Sequence, residues 1–202
     1  NIVANYYKPG PATKPGEVSY RIANPSYRSE TDFGKWYIAE NTVGGNEQVS
    51  EDNWNGGVQT DISFQKIKLE SPWPSMPIEQ QTAEEAYEAV LENAGANLPE
   101  RDPVDSRIIE EVRGGFATYE GGNYTKEHEV ANPEKPSGII DTQEDVGGWP
   151  ELESAPAPED SDHDGMPDAW EKENGLDPKD ASDRNMVAED GYTMLEKYLN
   201  SI

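Results

Sequence analysis

The chain has no cysteine and few basic residues, and these shortages narrow what it can do. Without cysteine it has no disulfide framework and no thiolate ligand or nucleophile, which leaves the cellular compartment open. Only 16 Lys and Arg stand against 41 Asp and Glu, and a formal charge of -25 argues against nucleic-acid binding, which needs a basic surface. Hydrophobic residues make up 33% of the chain, and no apolar run approaches the roughly 20 residues of a membrane span. We therefore expect a modest core, no membrane span, no nucleic-acid partner and a monomer.

Catalytic signatures are also missing. The two histidines, His128 and His163, form no His-x-x-x-His zinc motif, and the chain has no Gly-x-Ser-x-Gly sequence and no phosphate-binding glycine loop. Carboxylates are abundant, but in a chain this acidic their closeness in sequence selects no pair for glycoside hydrolysis. The residues alone therefore predict no catalytic side chain and no organic cofactor.

The segment from Asp160 to Glu171 has the sequence of an EF-hand-type calcium loop. Such a loop places side-chain oxygens at alternate positions, uses one backbone carbonyl and needs a glycine, here Gly165, for its sharp turn. A hard cation requires at least six oxygens, and alternate carboxylates on a flexible loop can converge on one point. The sequence thus predicts a Ca²⁺ site with the ligands Asp160, Asp162, Asp164, Met166 (through its carbonyl), Asp168 and Glu171.

A second acidic loop near the end of the chain is irregular. The distance from Gly191 to Glu196 is one residue shorter than the matching distance in the first loop, and the run before Asp190 is too long. Two interpretations stay open: a second calcium site, or acidic residues at a helix N-terminus, where the helix dipole favours negative charge. The candidate ligands of this second site are Asp183, Asn185, Asp190 and Glu196.

The first third of the chain has the chemistry of β-strands. Short β-branched or aromatic runs alternate with Pro- and Gly-rich turns, and no helical pattern lies between them, which indicates a solenoid edge or an antiparallel sheet rather than βαβ units. Asn5 and Asn41 each follow an apolar run, as turn asparagines do in parallel β-helices. The predicted strands are Ile2–Tyr7, Ser19–Ala23, Trp36–Asn41 and Asp61–Leu69, with a further short strand at Gly138–Asp141.

The middle of the chain is predicted to be helical. Thr82 and Glu85 have the spacing of a capping box, and an apolar stripe follows them. Pro103 opens a second helical pattern. We expect helices near 82–94 and 103–113, packed on the preceding strands because helices this short are not stable alone. A partner-binding hairpin is the alternative.

A proline-rich segment, Ser154–Pro158, separates the larger part of the chain from a small acidic module. The predicted domains are therefore 1–158 and 159–202. The first residues have the pattern of a strand interior and there is no initiator Met, so we expect a fragment or a processed product.

Six blocks of the sequence together resemble one known family. One block is a strand followed by a turn, three belong to the middle of the chain, and the last two are tail motifs. These blocks are Asn1–Thr13, Asn53–Gln59, Val90–Ala96, Gly138–Asp141 with Gly147–Pro150, Asp162–Glu171 and Asp190–Asn200. In this order and over nearly the whole chain, they resemble the later part of secreted bacterial pectate lyases.

The resemblance implies a mainly β protein with α additions. It would contain the last strands of a right-handed parallel β-helix, helices that cover its end, and a small EF-hand-like calcium-binding tail. It also implies an enzyme that is secreted or periplasmic and that cleaves polygalacturonate by β-elimination. In that family Ca²⁺ bridges enzyme carboxylates and substrate uronates, and an arginine removes the proton at C5. The family's Arg-x-Pro-Arg motif lies upstream of the strand that Ile2–Tyr7 resembles and does not occur here, so no catalytic residue carries over.

We therefore expect the C-terminal part of a calcium-dependent pectate lyase, with a structural rather than catalytic role. The alternative is a non-catalytic extracellular module, dockerin-like, that binds protein or carbohydrate through calcium loops and exposed aromatic rings. A complete small hydrolase has little support, because no catalytic signature is present. The aromatic residues that would serve the alternative, unless they are needed for packing, are Tyr6, Tyr7, Trp36, Trp54 and Trp73.

Overall fold

The computed structural model describes residues 1–29, 31–95, 97, 100–123, 132–151 and 155–202. The chain forms two compact units, Asn1–Pro150 and Glu151–Ile202. His128 and Ser154 lie outside the described residues. In the ranges that are described, no helix has both the length and the apolar character needed to cross a membrane.

Short parallel strand pairs organise the first unit. One pair joins residues 2–3 to residues 38–39, and a second joins residues 6–7 to residues 42–43, so two successive passes of the chain lie side by side in register. An antiparallel hairpin follows the first pass. In chain order the strands are β1 (Ile2–Val3), β2 (Tyr6–Tyr7), β3 (Tyr27–Ser29), β4 (Asp32–Phe33), β5 (Ile38–Ala39) and β6 (Thr42–Val43).

A third pass lies on the other edge of the second one. The Trp36 amide donates to the carbonyl of Ile67 at 2.7 Å, and the Leu69 amide donates to the carbonyl of Trp36 at 2.8 Å. The carbonyl of the next residue, Tyr37, instead accepts from Ile2 at 2.8 Å. Because backbone groups of successive strand residues point to opposite edges, the Trp36–Ala39 segment is hydrogen-bonded on both sides.

The first two passes turn at the same place with the same backbone geometry. Ala4 and Glu40 have φ values of 52° and 61°, a left-handed conformation that is uncommon outside glycine. Each is followed by an asparagine, and the side chain of Asn5 donates to the Asn41 side-chain carbonyl at 2.9 Å. Asn41 is fully buried and also exchanges hydrogen bonds with the side chain of Asn53. The turn asparagines expected from the sequence thus stack on one another.

Helices supply the remaining regular structure. The first unit has α1 (Glu47–Glu51), α2 (Phe64–Ile67), α3 (Ala83–Asn93) and α4 (Pro103–Gly114), together with 3₁₀ helices at Glu17–Tyr20 and Gln143–Val146. The second unit has α5 (Asp168–Glu173) and α6 (Met194–Leu199), with a 3₁₀ helix at Asp183–Asn185.

Helix α3 begins at the capping box that the sequence indicated. The Glu85 amide donates to the Thr82 hydroxyl oxygen at 3.2 Å, and the Thr82 amide donates to the Glu85 carboxylate at 2.9 Å. The helix packs on β2, where the ring of Tyr87 stacks on Tyr6 with 4.5 Å between centroids. Helix α4 begins at Pro103, as the sequence predicted, and the Asp102 carboxylate accepts from the amide of Asp105, the third residue of the helix. Local capping therefore sets where both helices begin.

The hydrophobic core of the first unit is small and lies between the stacked passes and α1. Ile67 and Val49 are its most deeply buried side chains. The indole of Trp54 closes one side and donates to the carbonyl of Ile38 at 3.0 Å. The buried core residues are Ile22, Ala23, Ile38, Val43, Val49, Trp54, Val58, Ile62 and Ile67.

The predicted strand Asp61–Leu69 is wrong over most of its length. Phe64–Ile67 forms the short helix α2, and Lys68 alone makes a parallel bridge, to Trp36. The polar residues that interrupt the alternation are exposed on this helical turn, while Ile67 is directed into the core. The helical turn buries Ile67, and this burial outweighed the strand preference of the alternating sequence.

Two other strand predictions also fail in detail. Ser19–Ala23 overlaps the 3₁₀ helix Glu17–Tyr20, and only Ala23 takes part in a parallel bridge, with Val58. Gly138–Asp141 forms backbone hydrogen bonds with a neighbouring segment but no regular strand. Short β-branched runs indicate an extended chain, whereas ladder formation depends on a partner strand that lies far away in sequence.

Candidate calcium site

The acidic loop at the start of the second unit has the backbone of a tight cation-binding turn. His163 and Gly165 have φ values of 60° and 99°. The Asp160 carboxylate accepts from the amides of Asp164 at 3.3 Å and Gly165 at 3.1 Å, which curls the loop around the first ligand position. Helix α5 begins at Asp168 and carries the last predicted ligand in its first turn. These contacts all lie within a dozen residues, so the turn is built by the local sequence.

Carboxylates from the loop and from a distant segment converge into two overlapping groups. Ligand oxygens of Asp160, Asp162 and Asp164 lie within 4.8 Å of one another, and so do those of Asp164, Glu171 and Asp183. Asp164 belongs to both groups. A single set of acidic side chains therefore surrounds Asp164, with Asp183 contributed by the 3₁₀ helix that follows α5.

Six oxygens of this set lack protein donors. In the part of the chain that the structure describes, six buried side-chain polar atoms have no hydrogen-bond partner, and all six belong to these carboxylates. Buried polar atoms are almost always paired, so a cluster of unpaired oxygens indicates a missing cationic partner. The six are both oxygens of Asp162, both oxygens of Glu171, Oδ2 of Asp164 and Oδ1 of Asp183.

The electrostatics of the set indicate the same need for a cation. Burial, reinforced by the negative charges of Asp162, Asp164 and Asp183, raises the pKa of Glu171 to about 7. Burial and the neighbouring Asp164 also raise the pKa of Asp162. Like charges held together away from water resist ionisation unless a counter-charge is bound. A divalent cation would reverse this penalty.

Asp168 has a different role from the other predicted ligands. Its carboxylate accepts from the Ser161 amide at 2.7 Å and the Ser161 hydroxyl at 2.9 Å, and it lies 3.4 Å from Lys172 Nζ. These bonds, above all the one from the Ser161 amide, lower the pKa of Asp168. Asp168 lies outside both carboxylate groups and fastens the start of α5 to the loop.

Met166 also helps to fix the loop, through its buried side chain and its amide. The Met166 side chain is completely buried, and its amide donates to Asp164 Oδ1 at 2.8 Å. Its backbone carbonyl remains the predicted ligand at this position. This hydrogen bond occupies Oδ1 and leaves Asp164 Oδ2 as the unpaired oxygen of that carboxylate.

The four residues predicted for a second site do not come together. Asp190 pairs with Lys197 Nζ at 2.8 Å, and Glu196 closes the capping box of α6 with Thr193. Asn185 donates to the carbonyl of Ser182 at 3.4 Å. Asp183 instead joins Asp164 and Glu171 of the first loop. The irregular spacing before Asp190 was the sequence signal that these residues do not form a second loop of the first type.

The donor set fits a hard cation. All the converging side-chain ligands are carboxylate oxygens, and Ca²⁺ accepts six to eight oxygens in flexible geometry. His163 lies on the exposed side of the loop, and the chain has no cysteine, so the nitrogen and sulfur ligands that zinc prefers are missing from this set. Mg²⁺ demands stricter geometry and retains several waters, which a set this rich in carboxylates does not favour.

Most of the candidate sugar-binding aromatics are used for packing. Tyr6 stacks on α3, Trp54 is 7% exposed, and Tyr7 and Trp36 are partly buried against the core. Trp73 is the exception, because 54% of it is exposed. One exposed ring is a small surface for stacking a polysaccharide.

The sequence is similar over its whole length to fungal proteins named probable pectate lyase C. The identity is 29% over 201 residues with the protein of Emericella nidulans, covering 98% of this chain and 41% of that protein. The Aspergillus terreus protein is 28% identical over 204 residues, covering all of this chain and 42% of that protein. For the protein of Aspergillus fumigatus strain CBS 144.89, the identity is 27% over 204 residues, with coverage of 100% and 41%.

This chain thus spans about two-fifths of the length of these relatives. No family model matches the sequence. Because these relatives are fungal, the bacterial source expected from the resemblance is not supported.

Proposed function

We propose that this chain is the C-terminal part of a calcium-dependent pectate lyase that cleaves polygalacturonate by β-elimination. Within that enzyme these residues have a structural and calcium-binding role. The observation that carries the calcium role is the buried set of unpaired carboxylate oxygens around Asp164. The similarity to proteins named probable pectate lyase C supports the enzyme class and the pectate substrate.

The larger unit is proposed to be the end of a right-handed parallel β-helix. Parallel pairing of successive passes, the shared left-handed turn at Ala4 and Glu40, and the stacked Asn5 and Asn41 are in favour of a coiled strand architecture. Helix α3 lies against β2 through Tyr87, as a helix covering the end of such a coil would.

Calcium is proposed to hold the tail in its folded state. The second unit has a thin core and a dense group of carboxylates, so it gains stability from any cation that binds its folded form alone. Calcium modules of extracellular proteins bind at about 10⁻⁴ to 10⁻³ M. An affinity in this range would suit a secreted enzyme, which is the location we propose.

Catalysis is assigned to parts of the enzyme outside these residues. The chain has no Arg-x-Pro-Arg sequence, and at least four of its six arginines make hydrogen bonds or ion pairs with other residues. Arg101 donates to the carbonyls of Leu91 and Glu92, and Arg107 pairs with Glu111 at 3.0 Å. Neither is arranged as a free base beside a metal site.

The test combines a calcium titration with an activity assay on the 202-residue chain. Calorimetry should detect calcium binding, and ultraviolet absorbance should detect no unsaturated product from polygalacturonate, with or without calcium. Product formation would overturn the structural role. A chain that binds no calcium would overturn the calcium-binding role, whatever the assay gives.

A further inference from the structure

The position of Asp183 shows a relationship between two parts of the tail that are separate in sequence. Asp183 lies twelve residues beyond Glu171, in a 3₁₀ helix outside the predicted loop. It is 7% exposed, and its Oδ1 atom has no hydrogen-bond partner. A ligand oxygen of this carboxylate lies within 4.8 Å of those of Asp164 and Glu171, which are 2% and 0% exposed.

We propose that Asp183 is a ligand of the same cation as the Asp160–Glu171 loop, so that one Ca²⁺ is bound jointly by two segments of the tail. This inference rests on the proposed calcium-binding role and adds the ligand that the loop motif does not contain. The site is then composite. Its ligands come from the loop and from the 3₁₀ helix Asp183–Asn185.

The geometry suits one ion. Calcium binds oxygens at about 2.3 to 2.6 Å, so two ligands on opposite sides of it are separated by about 5 Å. In each carboxylate group the ligand oxygens lie within 4.8 Å of one another, and both groups contain Asp164, which is compatible with one shared ion. Six unpaired oxygens equal the lower limit of calcium coordination.

The other oxygen of Asp183 anchors the second segment. Asp183 Oδ2 accepts from the amide of Asp177 at 2.9 Å, and Oδ1 is left unpaired. This division of roles is the one expected of a metal ligand whose orientation is fixed by a backbone donor. Calcium binding should therefore order residues 177–185 together with the loop.

The first experiment is calcium titration of the full chain and of two variants by calorimetry. Asp183→Asn retains a carbonyl acceptor for the Asp177 amide but removes one charged ligand, so calcium affinity should fall roughly tenfold or more. Glu189→Gln is the matched control. It removes the same charge from an exposed position of the same segment and should leave the affinity within about twofold.

Each outcome separates this inference from the proposed function. The wild-type chain should bind one ion. If wild type binds calcium and Asp183→Asn binds it equally well, the composite site is wrong and the calcium role stands. Two ions in wild type, only one of which Asp183→Asn loses, would also overturn the joint site. Absence of binding in wild type would overturn both proposals.

A measurement on the wild-type chain guards against a variant that does not fold. Hydrogen exchange with and without calcium should show slower exchange in residues 177–185 as well as in the Asp160–Glu171 loop. Protection confined to the loop would overturn the inference. Terbium luminescence lifetimes in H₂O and D₂O add a direct readout, because Asp183→Asn should admit about one more metal-bound water if Asp183 is a ligand. An unchanged water count would contradict the proposal.

Discussion

The side chain of Asn5 donates to the side-chain carbonyl of Asn41 at 2.9 Å, which joins two successive turns of the chain that are 36 residues apart. The backbone amide of Asn5 donates to the same oxygen at 2.9 Å. Both asparagines follow a residue in the left-handed conformation. The contact therefore fixes the register of the parallel pairs β1–β5 and β2–β6 at their shared corner.

Replacement of Asn41 should strongly destabilise the first unit. Asn41→Ala removes a fully buried side-chain amide that donates to the carbonyls of Ile2 and Ala39 and accepts from Asn5. We expect a loss of about 3 kcal/mol in the free energy of unfolding, measured by urea titration. The exposed Asn55→Ala should change it by no more than about 0.5 kcal/mol. Equal effects would refute a specific role for the buried asparagine.

Helix α3 should depend on Tyr87. Tyr87→Ala removes the stack on Tyr6 and the hydrogen bond from Lys8 Nζ at 3.0 Å, which should cost about 2 kcal/mol of unfolding free energy. Tyr87→Phe retains the stack and should cost no more than about 1 kcal/mol. Urea unfolding followed by circular dichroism checks both values. If the two variants were equally destabilised, the hydroxyl and not the stack would hold the helix.

Glu171 should have opposite effects with and without calcium. Glu171→Gln removes a buried negative charge from a crowded set, so without calcium the second unit should become more stable. Calcium at 100 times Kd should stabilise the wild-type unit by about 2.7 kcal/mol through linkage between binding and folding. The Glu171→Gln variant should lose most of this gain. Hydrogen exchange of residues 155–202 in calcium and in chelator measures both effects.

The control for this change is Glu173→Gln, an exposed glutamate in the same helix, which should behave like wild type in both conditions. A Glu171→Gln protein that still gains full stabilisation from calcium would show that Glu171 is not a ligand.

The pH dependence of stability should reverse when calcium is added. The pKa of Glu171 is raised from 4.5 to about 7 in the calcium-free fold, so the folded state holds this proton more tightly than the unfolded state does. The resulting destabilisation is present above about pH 7 and is relieved as the pH falls toward 4.5. With calcium bound the carboxylate must ionise, so acid should weaken binding and lower stability.

Urea unfolding across this pH window, followed by amide signals of residues 155–202 in two-dimensional NMR, measures both slopes. Without calcium, Glu171→Gln should lose much but not all of the pH dependence of stability. The remainder comes from Asp162, whose pKa is also raised. Parallel pH profiles with and without calcium would rule out competition between protons and the cation at this site.

Local chemistry determined much of this protein directly from its sequence. The capping box at Thr82 and the proline at position 103 predicted where α3 and α4 begin, because each of these signals acts within the first helical turn. The Asp160–Glu171 turn was readable for the same reason. Its glycine, alternating carboxylates and following helix all lie within a dozen residues, and the structure brings most of them together.

Contacts between distant segments were decided by the tertiary structure. Alternation at Asp61–Leu69 predicted a strand, but a helical turn there buries Ile67 instead. The free energy gained by burying an isoleucine depends on the surrounding core, which the local sequence pattern does not contain. Asn53, the buried partner of Asn41, carried no signal of its own. The sequence showed that Asp183 is acidic but not which carboxylates lie beside it. That depends on how the chain folds back after α5, which only the three-dimensional packing determines.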